Sequence, residues 1–481
     1  MLTIEEQIHN NARQIPEKTA LISKDTSITY KELWDKCMRT SDVLRSRMKL
    51  KEGDRVIIAA SGNADFIYTY FGVHLAGGIC VPIDPDTNQK RFEFILSSTN
   101  PIAVIGVLHK VDYKPVSFEE VTTGGNPECF FSPRLDDVAD ILFTTGTTGT
   151  PKGVALSYKN IAAATENINE FIRNTPDDVE LLALPVSHSF GLGRVKCVLA
   201  KGGTLVLLGT FASMKKFFGN IEKHYCTGLG MVPASWAYIK KMSGRKISQF
   251  AHQLNYVEIG SSFMPREDKE LLMELLPNTR ICMHYGSTEA SRSSFMEFHS
   301  CKDNLLTAGQ ASPNCDIKIF SPEGKELPFG QEGEVCVKGN HVTCSYWNEP
   351  PERFVSDFYG DYFRTGDSGV MDEKGFLYLK SRIKEIINVG GKKVAPMEVE
   401  EVLNTVPGIS ESACVAMPDS EGVMGELVKA FIVCKDDSLT DAAILDHLRP
   451  RLEAYKLPAV IERISQIPKT LSGKIQRMKL K

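Results

Sequence analysis

No Cys-x-x-Cys pair occurs in this sequence, although twelve cysteines are scattered through it. That argues against a zinc ribbon or a disulfide frame, and fits thiols serving as small apolar residues in a reducing compartment. No apolar run approaches the roughly 18 residues that a membrane-spanning helix needs. Net charge is only −4, so there is no broad basic field for nucleic acid or anionic lipid. The N-terminal Met1 to Glu6 lacks a basic segment followed by an apolar core. Met478 to Lys481 is neither a peroxisomal nor a prenylation signal. A cytoplasmic protein without a membrane span is expected.

What is present is a long, ordinary globular composition. At 481 residues, 42% hydrophobic and 24% charged, the chain exceeds a single core and should divide into domains. Strand-like and helical stretches alternate from the start. Thr3 and Glu6 form a capping box for a first helix. Ala20 to Ser23 and Ile28 to Tyr30 read as a short hairpin, followed by a helix through Glu32, Trp34 and Leu44. Val56 to Ala60, Cys80 to Ile83 and Ile102 to Val107 read as strands, with helices over Ala64 to Ala76 and Lys90 to Ser97 between them. That order predicts βα units, hence a largely parallel, doubly wound sheet covered on both faces. Residues 108–137 show little periodicity.

The chain is organised around Asp140-Ile-Leu-Phe-Thr-Thr-Gly-Thr-Thr-Gly-Thr-Pro-Lys-Gly153. An apolar strand, Val138 to Phe143, feeds directly into threonines, glycines and Lys152. Glycine lets a loop close tightly around an anion, while backbone N–H groups and threonine hydroxyls donate to phosphate oxygens. The nucleotide-kinase loop needs Gly-Lys-Ser/Thr opening a helix. Here Lys152 follows Pro151 and precedes Gly153, so that pattern is not met.

Three further strand ends carry polar clusters, which in open α/β sheets is where ligands bind. Leu181 to Pro185 ends at Val186-Ser-His-Ser-Phe-Gly-Leu-Gly193. Tyr256 to Ile259 ends at Gly260-Ser-Ser262, and Ile281 to Tyr285 at Gly286-Ser-Thr-Glu-Ala290. From about Thr307 the pattern becomes antiparallel, with Ile317 to Phe320, a turn at Pro322-Glu-Gly324 and Glu334 to Lys338. Arg364-Thr-Gly-Asp367 and Ser381-Arg-Ile-Lys-Glu385 follow. In the last stretch, Pro396 opens a helix with Val399 and Leu403 on one face, Ala413 to Met417 and Val428 to Val433 read as strands, and Thr440 caps a helix. Pro468-Lys-Thr-Leu-Ser-Gly-Lys-Ile475 is a polar loop near the end.

The glycine loop closely resembles the phosphate loop of the adenylate-forming superfamily. That superfamily contains acyl- and aryl-CoA synthetases, peptide-synthetase adenylation domains and luciferases. Tyr285-Gly-Ser-Thr-Glu289, Arg364-Thr-Gly-Asp367, Arg382 to Lys384 and the Pro-Lys-Thr-x-Ser-Gly-Lys signature follow in the superfamily's order, so the resemblance spans nearly the whole chain. One departure is Ser381, where the family usually has Gly or Asp before the arginine.

The resemblance implies an α/β fold, with a large N-terminal domain of doubly wound sheets over residues 1–383. A small β-barrel would lie within it at about 307–380, and a small mobile α+β C-terminal domain would cover 384–481. It implies an ATP-dependent acid–thiol ligase. An acid is joined to AMP with release of pyrophosphate, and the acyl group then passes to a pantetheine thiol, CoA or that of a carrier protein. Thr144, Thr145, Gly146, Thr147, Thr148, Gly149 and Lys152 would grip the outgoing phosphates. Gly260, Ser261, Tyr285, Gly286 and Ser287 would hold the nucleotide, and Asp367 with Arg382 the ribose.

In the same reading Thr288 reaches the α-phosphate, while Glu289 and Thr144 hold Mg²⁺, a hard cation that keeps waters and shares phosphate oxygens. Lys474 is the catalytic lysine, Lys384 the hinge, and Gly390 and Gly391 would give the thiol access. His188, Ser189 and Phe190 would line the acyl pocket. Ser189 stands where amino-acid-activating relatives place an Asp, and a buried ammonium without a partner is costly. A fatty or other non-amino acyl acid is therefore expected, with aryl acids next and a stand-alone carrier-protein loading enzyme as the alternative. Arg194 is expected to face solvent.

Overall fold

The computed structural model describes all residues except Asp25, 108–114, 126–130, 145–150, Thr210, Ala212, Gly391, 421–423, 435–437, Leu471, Ser472, Lys481 and the side chain of Lys393. Two compact units result, one of Met1–Ile317 with Val337–Phe363, the other of Lys318–Cys336 with Arg364–Lys481.

The first unit holds two sheets. Among the described residues one has nine strands, in the order Gln310–Ala311, Ser294–Glu297, Arg280–Tyr285, Tyr256–Ile259, Gly228–Met231, Val179–Leu182, Thr204–Leu207, Thr19–Ser23, Thr26–Thr29. Arg280–Tyr285 through Thr19–Ser23 run parallel, and the edges on both sides are antiparallel. The other has six, ordered Ser345–Tyr346, Lys152–Ser157, Val138–Thr144, Ile79–Ile83, Arg55–Ala59, Ala103–Ile105. The expected parallel core is present in both.

One strand differs from expectation. Lys152–Ser157 turns straight back on Val138–Thr144, with Thr144 opposite Lys152 and Phe143 opposite Gly153. The glycine loop is thus the connection of an antiparallel hairpin, and the helix that follows begins only at Tyr158. Gly153 to Ser157 are all buried, so this strand shows no in-out alternation to betray it. The helix over Ala64–Leu75 is buried from Phe66 to Leu75 without a break, which is why it reads as continuously apolar rather than as an amphipathic stripe.

The second unit has its own core, formed by Ile387, Val389, Val394, Val399, Leu403, Ile432, Ile444 and Leu448 among others. Ile409–Pro418 pairs antiparallel with Glu426–Cys434, which pairs parallel with Val460–Arg463. Pro396 occupies the first position of the Pro396–Leu403 helix, where its missing N–H costs nothing, and Thr440 accepts from the Ala443 N–H. Among the described residues, no helix is long and apolar enough to cross a membrane.

Candidate active site

Polar residues of the first unit gather at the ends of its strands. Thr144 is the last residue of Val138–Thr144, and Arg91, on the Gln89–Thr99 helix, donates to the neighbouring Phe143 carbonyl at 2.9 Å. Thr145, Gly146, Thr147, Thr148 and Gly149 lie outside the described residues. Lys152 returns on the other arm of the hairpin, its ammonium 4.4 Å from the centre of the Tyr346 ring. Tyr346 belongs to the short edge strand paired with Lys152–Ser157, opposite Val154.

The Tyr346 hydroxyl donates to Glu289 Oε1 at 3.4 Å, so Lys152 and Glu289 sit on two sides of one phenol. Glu289 is half-buried. Its backbone carbonyl accepts from the Thr343 N–H at 2.7 Å. Among the described residues no lysine, arginine or histidine pairs with its carboxylate, and the hydrogen bond from Tyr346 is long. A half-buried carboxylate in that condition is an oxygen donor of the kind that Mg²⁺, together with waters and phosphate oxygens, would fit.

The segment from Tyr285 to Glu289 is a tight turn. The Ser287 N–H donates to the Ala290 carbonyl at 3.1 Å, and the Ala290 N–H to Ser287 Oγ at 3.2 Å. A Cβ at Gly286 would lie 2.5 Å from the Arg292 nitrogen and 2.6 Å from the Ala290 oxygen, so only glycine fits. Tyr285 ends its strand half-buried, and Thr288 is half-buried in the turn. On the adjacent strand end, a Cβ at Gly260 would lie 2.1 Å from the His284 ring, and Ser261 has φ +81. A left-handed serine is uncommon and marks a strained strand end.

His188 is exposed and occupies the N-cap position of the Ser189–Lys201 helix without capping it through its side chain. Ser189 and Phe190 are held by Arg292, whose guanidinium donates to both their carbonyls at 3.0 Å and lies over the Phe190 ring at 4.9 Å. Arg292 also reaches Glu258 Oε1 at 3.1 Å. The Tyr285–Glu289 turn and the expected acyl wall therefore share one buried arginine.

Arg194 corrects an expectation. Rather than facing solvent it is 0% exposed. Its guanidinium contacts Glu180 Oε2 at 2.5 Å and Glu258 Oε2 at 3.1 Å, and donates to Asn174 Oδ1 at 3.1 Å. Tyr256 donates its hydroxyl to Glu180 at 2.6 Å. Burial pushes the Glu258 carboxyl up, but Arg292 and Arg194 outweigh it and hold it well below the usual range. Burial likewise lowers His284, whose Nδ1 lies 2.8 Å from Glu258, and keeps the ring neutral. The charges of Arg194, Arg292, Glu180 and Glu258 cancel within this cluster.

Asp140, the one acid in the strand before the glycine loop, belongs to a second buried cluster. It accepts from Lys196 at 2.7 Å and from Tyr70 at 2.8 Å, and lies 3.2 Å from His74, which also meets Glu5 at 2.7 Å. Burial raises its carboxyl, yet Lys196 and His74 bring it down to about 2. His74, Cys80 and Asp140 have metal-ligand atoms within 4.8 Å of one another. The Lys196 ammonium already neutralises Asp140, so the group reads as an ion cluster.

In the second unit, Asp367 and Arg382 stand opposite one another in a hairpin, Oδ1 to Nε at 2.9 Å. Lys384 is exposed within the single turn Ile383–Glu385. Gly390, at φ +58, donates its N–H to the Met424 carbonyl at 2.7 Å, and Gly391 lies outside the described residues. Lys474 is exposed, its N–H bonded to Thr470 Oγ1 at 3.1 Å. Three residues on, Arg477 ties this segment down, with Glu400 at 2.7 Å and Glu385 at 2.9 Å.

Arg292, Glu258, His284, Tyr346, Arg91 and Arg477 were not singled out from sequence. Glu258 carried a faint signal as the sole acid in an apolar strand, whereas Tyr346 carried none.

The family model for AMP-binding enzymes matches residues 8–347, and that for the AMP-binding enzyme C-terminal domain matches 398–474. Among curated relatives, the long-chain-fatty-acid–CoA ligase FadD13 of Mycobacterium tuberculosis is 28% identical over 95% of this chain and 93% of its own. The long-chain-fatty-acid–CoA ligase of Bacillus subtilis is 29% identical over 99% and 94%. Among solved structures, o-succinylbenzoate coenzyme A synthetase from Bacillus subtilis in complex with ATP and magnesium superposes with a TM-score of 0.89 at 26% identity. That match covers 98% of each chain.

Proposed function

The chain belongs to the AMP-binding enzyme family, and from that premise we propose that Glu289, Lys152 and Lys474 carry the joining of a fatty or other non-amino acyl acid to AMP. The protein is an adenylate-forming acid–thiol ligase that uses ATP, Mg²⁺ and CoA. The observation that carries the residue assignment is the convergence of Lys152 and Glu289 on Tyr346 at the end of the glycine hairpin.

A carboxylate is a poor acyl donor because its oxygen leaves badly. Exchange of that oxygen for AMP supplies a better leaving group, but the attacking anion must approach a phosphorus ringed by negative oxygens. Cations fixed in advance lower that repulsion, and most of the rate comes from position and charge. Lys152 and the threonines of the loop would hold the β- and γ-phosphates, and Lys474 would bridge the carboxylate and the α-phosphate. Mg²⁺ at Glu289 and Thr144 would neutralise phosphate charge when bound. Tyr285, Gly260 and Ser261 would flank the adenine, with Thr288 at the α-phosphate and Asp367 and Arg382 at the ribose.

For the second half-reaction we assign Lys384 as the hinge of a lid beginning at 384, with Gly390 and Gly391 leaving room for the pantetheine thiol. His188, Ser189 and Phe190 line the acyl side. The neutralised cluster of Arg194, Arg292, Glu180 and Glu258 offers neither a carboxylate for an α-ammonium nor a spare cation for a second carboxylate, which favours an acid with an uncharged tail. A reducing cytoplasmic setting agrees with its cysteines, all free among the described residues.

The test is a panel of fatty, aryl, dicarboxylic and amino acids, scored for exchange of labelled pyrophosphate into ATP with CoA present and absent. Exchange should be strongest with uncharged-tail acids, and CoA should convert it to thioester. Absence of exchange with every acid would end the assignment. Exchange without CoA thioester would mark a carrier protein as the acceptor.

A further inference from the structure

Tyr346 is 6% exposed and lies between two residues of opposite charge. The Lys152 ammonium rests on its ring face at 4.4 Å, and its hydroxyl points to Glu289 Oε1 at 3.4 Å. Its backbone is fixed on both sides. It pairs with Val154 in the edge strand, the following Trp347 N–H donates to the Gly153 carbonyl at 2.7 Å, and Glu289 is bound through its own carbonyl to the Thr343 N–H at 2.7 Å. Thr343 Oγ1 in turn donates to the Ala155 carbonyl at 2.6 Å. The segment from Thr343 to Trp347 therefore joins the returning arm of the glycine hairpin to the Glu289 turn, and the Tyr346 phenol touches both charges.

We propose that Tyr346 is a positioning residue that couples the phosphate-gripping lysine to the metal-binding carboxylate, its ring setting the Lys152 ammonium and its hydroxyl setting Glu289. The inference rests on the roles given to Lys152 and Glu289 above. An aromatic face attracts a cation through its quadrupole, most strongly where water is kept away, as it is around a buried ring. The ring thereby restricts a flexible four-carbon chain to one region before the polyphosphate arrives, which removes part of the ordering cost from nucleotide binding. The hydroxyl donates one hydrogen bond to Glu289 and so biases one carboxylate oxygen toward the phenol, leaving the other for a cation.

The two halves separate by substitution. Tyr346→Phe keeps the ring and deletes the hydroxyl. Pentafluorophenylalanine at 346 keeps the shape but drains the ring face of negative charge. Three quantities are measured on the full chain: affinity for ATP without divalent metal, Mn²⁺ binding to the enzyme–ATP complex by electron paramagnetic resonance, and kcat against KM for ATP.

Tyr346→Phe should weaken Mn²⁺ binding by about threefold to tenfold, the scale of one ordinary hydrogen bond, since this one is long, with metal-free ATP affinity unchanged. The fluorinated ring should weaken metal-free ATP affinity and raise KM for ATP further than Phe does. Equal Mn²⁺ binding by wild type and Tyr346→Phe would overturn the hydroxyl half. Equal or tighter ATP binding by the fluorinated variant relative to Phe would overturn the ring half. Glu289→Gln is the control that keeps the underlying assignment separate. If it binds Mn²⁺ as wild type does, Glu289 is not the metal carboxylate, whatever the Tyr346 variants do.

Discussion

At the residue scale, the buried charges beneath the site show the largest departure from what side-chain chemistry alone suggests. An arginine on a helix just after a polar strand end belongs by default in water, yet Arg194 is fully enclosed between Glu180 and Glu258. Removing one partner from such an arrangement leaves a bare charge in a low dielectric, which costs more than the intact pair contributes. Arg194→Met should therefore destabilise the protein by about 3–5 kcal/mol, read as a lower denaturant midpoint. Arg194→Met combined with Glu180→Gln should recover part of the loss. A single-variant loss under about 1 kcal/mol would show that the neighbouring acids take up protons or rearrange cheaply.

At the scale of elements, strand ends rather than strands decide the chemistry. The Tyr256–Ile259 and Arg280–Tyr285 strands are parallel neighbours with Ile259 opposite Met283, so Gly260 emerges beside His284, one residue before Tyr285. Gly260 has no room for a side chain because the His284 ring packs against it, and that ring is pinned by Glu258 and by Phe190, 4.7 Å away edge-on. Gly260→Ala should push His284 and the adjoining Tyr285 together. The expected result is a stability loss of about 1–3 kcal/mol with a rise in KM for ATP, checked by denaturation and nucleotide titration. Unchanged values for both would mean that the ring moves freely.

The same scale shows what was legible beforehand. Apolar runs closed by glycine were readable as strands because burial on both faces leaves a continuous hydrophobic signature. The Thr3 and Thr440 caps were readable because capping is a local bargain between neighbouring residues. Lys152–Ser157 escaped notice because it is short, follows glycines and shows no alternation. Its direction is set by pairing with Val138–Thr144 rather than by any local preference.

At the scale of the whole molecule, the groups assigned to one reaction are divided between two compact units, Glu289 and Lys152 in the first and Asp367, Arg382 and Lys474 in the second. In the proposed assignment Lys474 serves only the joining of acid to AMP. Lys474→Ala should accordingly reduce pyrophosphate exchange by roughly 100-fold or more, the scale on which removal of a positioned charge-stabilising group acts. It should still let CoA attack a supplied acyl-adenylate at near wild-type rate. Equal loss of both steps would place Lys474 in a general structural role instead. The segment bearing it is tethered by Arg477 to Glu385 and Glu400, so the second unit fixes Lys474 within itself.

The sequence by itself determined the identity and order of the groups proposed to react, and through their resemblance to the adenylate-forming superfamily it pointed to the proposed phosphate loop and cation site. It also determined where most strands and helices fall, through periodicity and caps. Only the tertiary structure decided which side chains stand behind those groups. Arg292 beneath Ser189, Glu258 between two arginines, and Tyr346 between Lys152 and Glu289 are contacts across long sequence separations. Such pairings depend on how strands align and helices pack, and no local propensity encodes them.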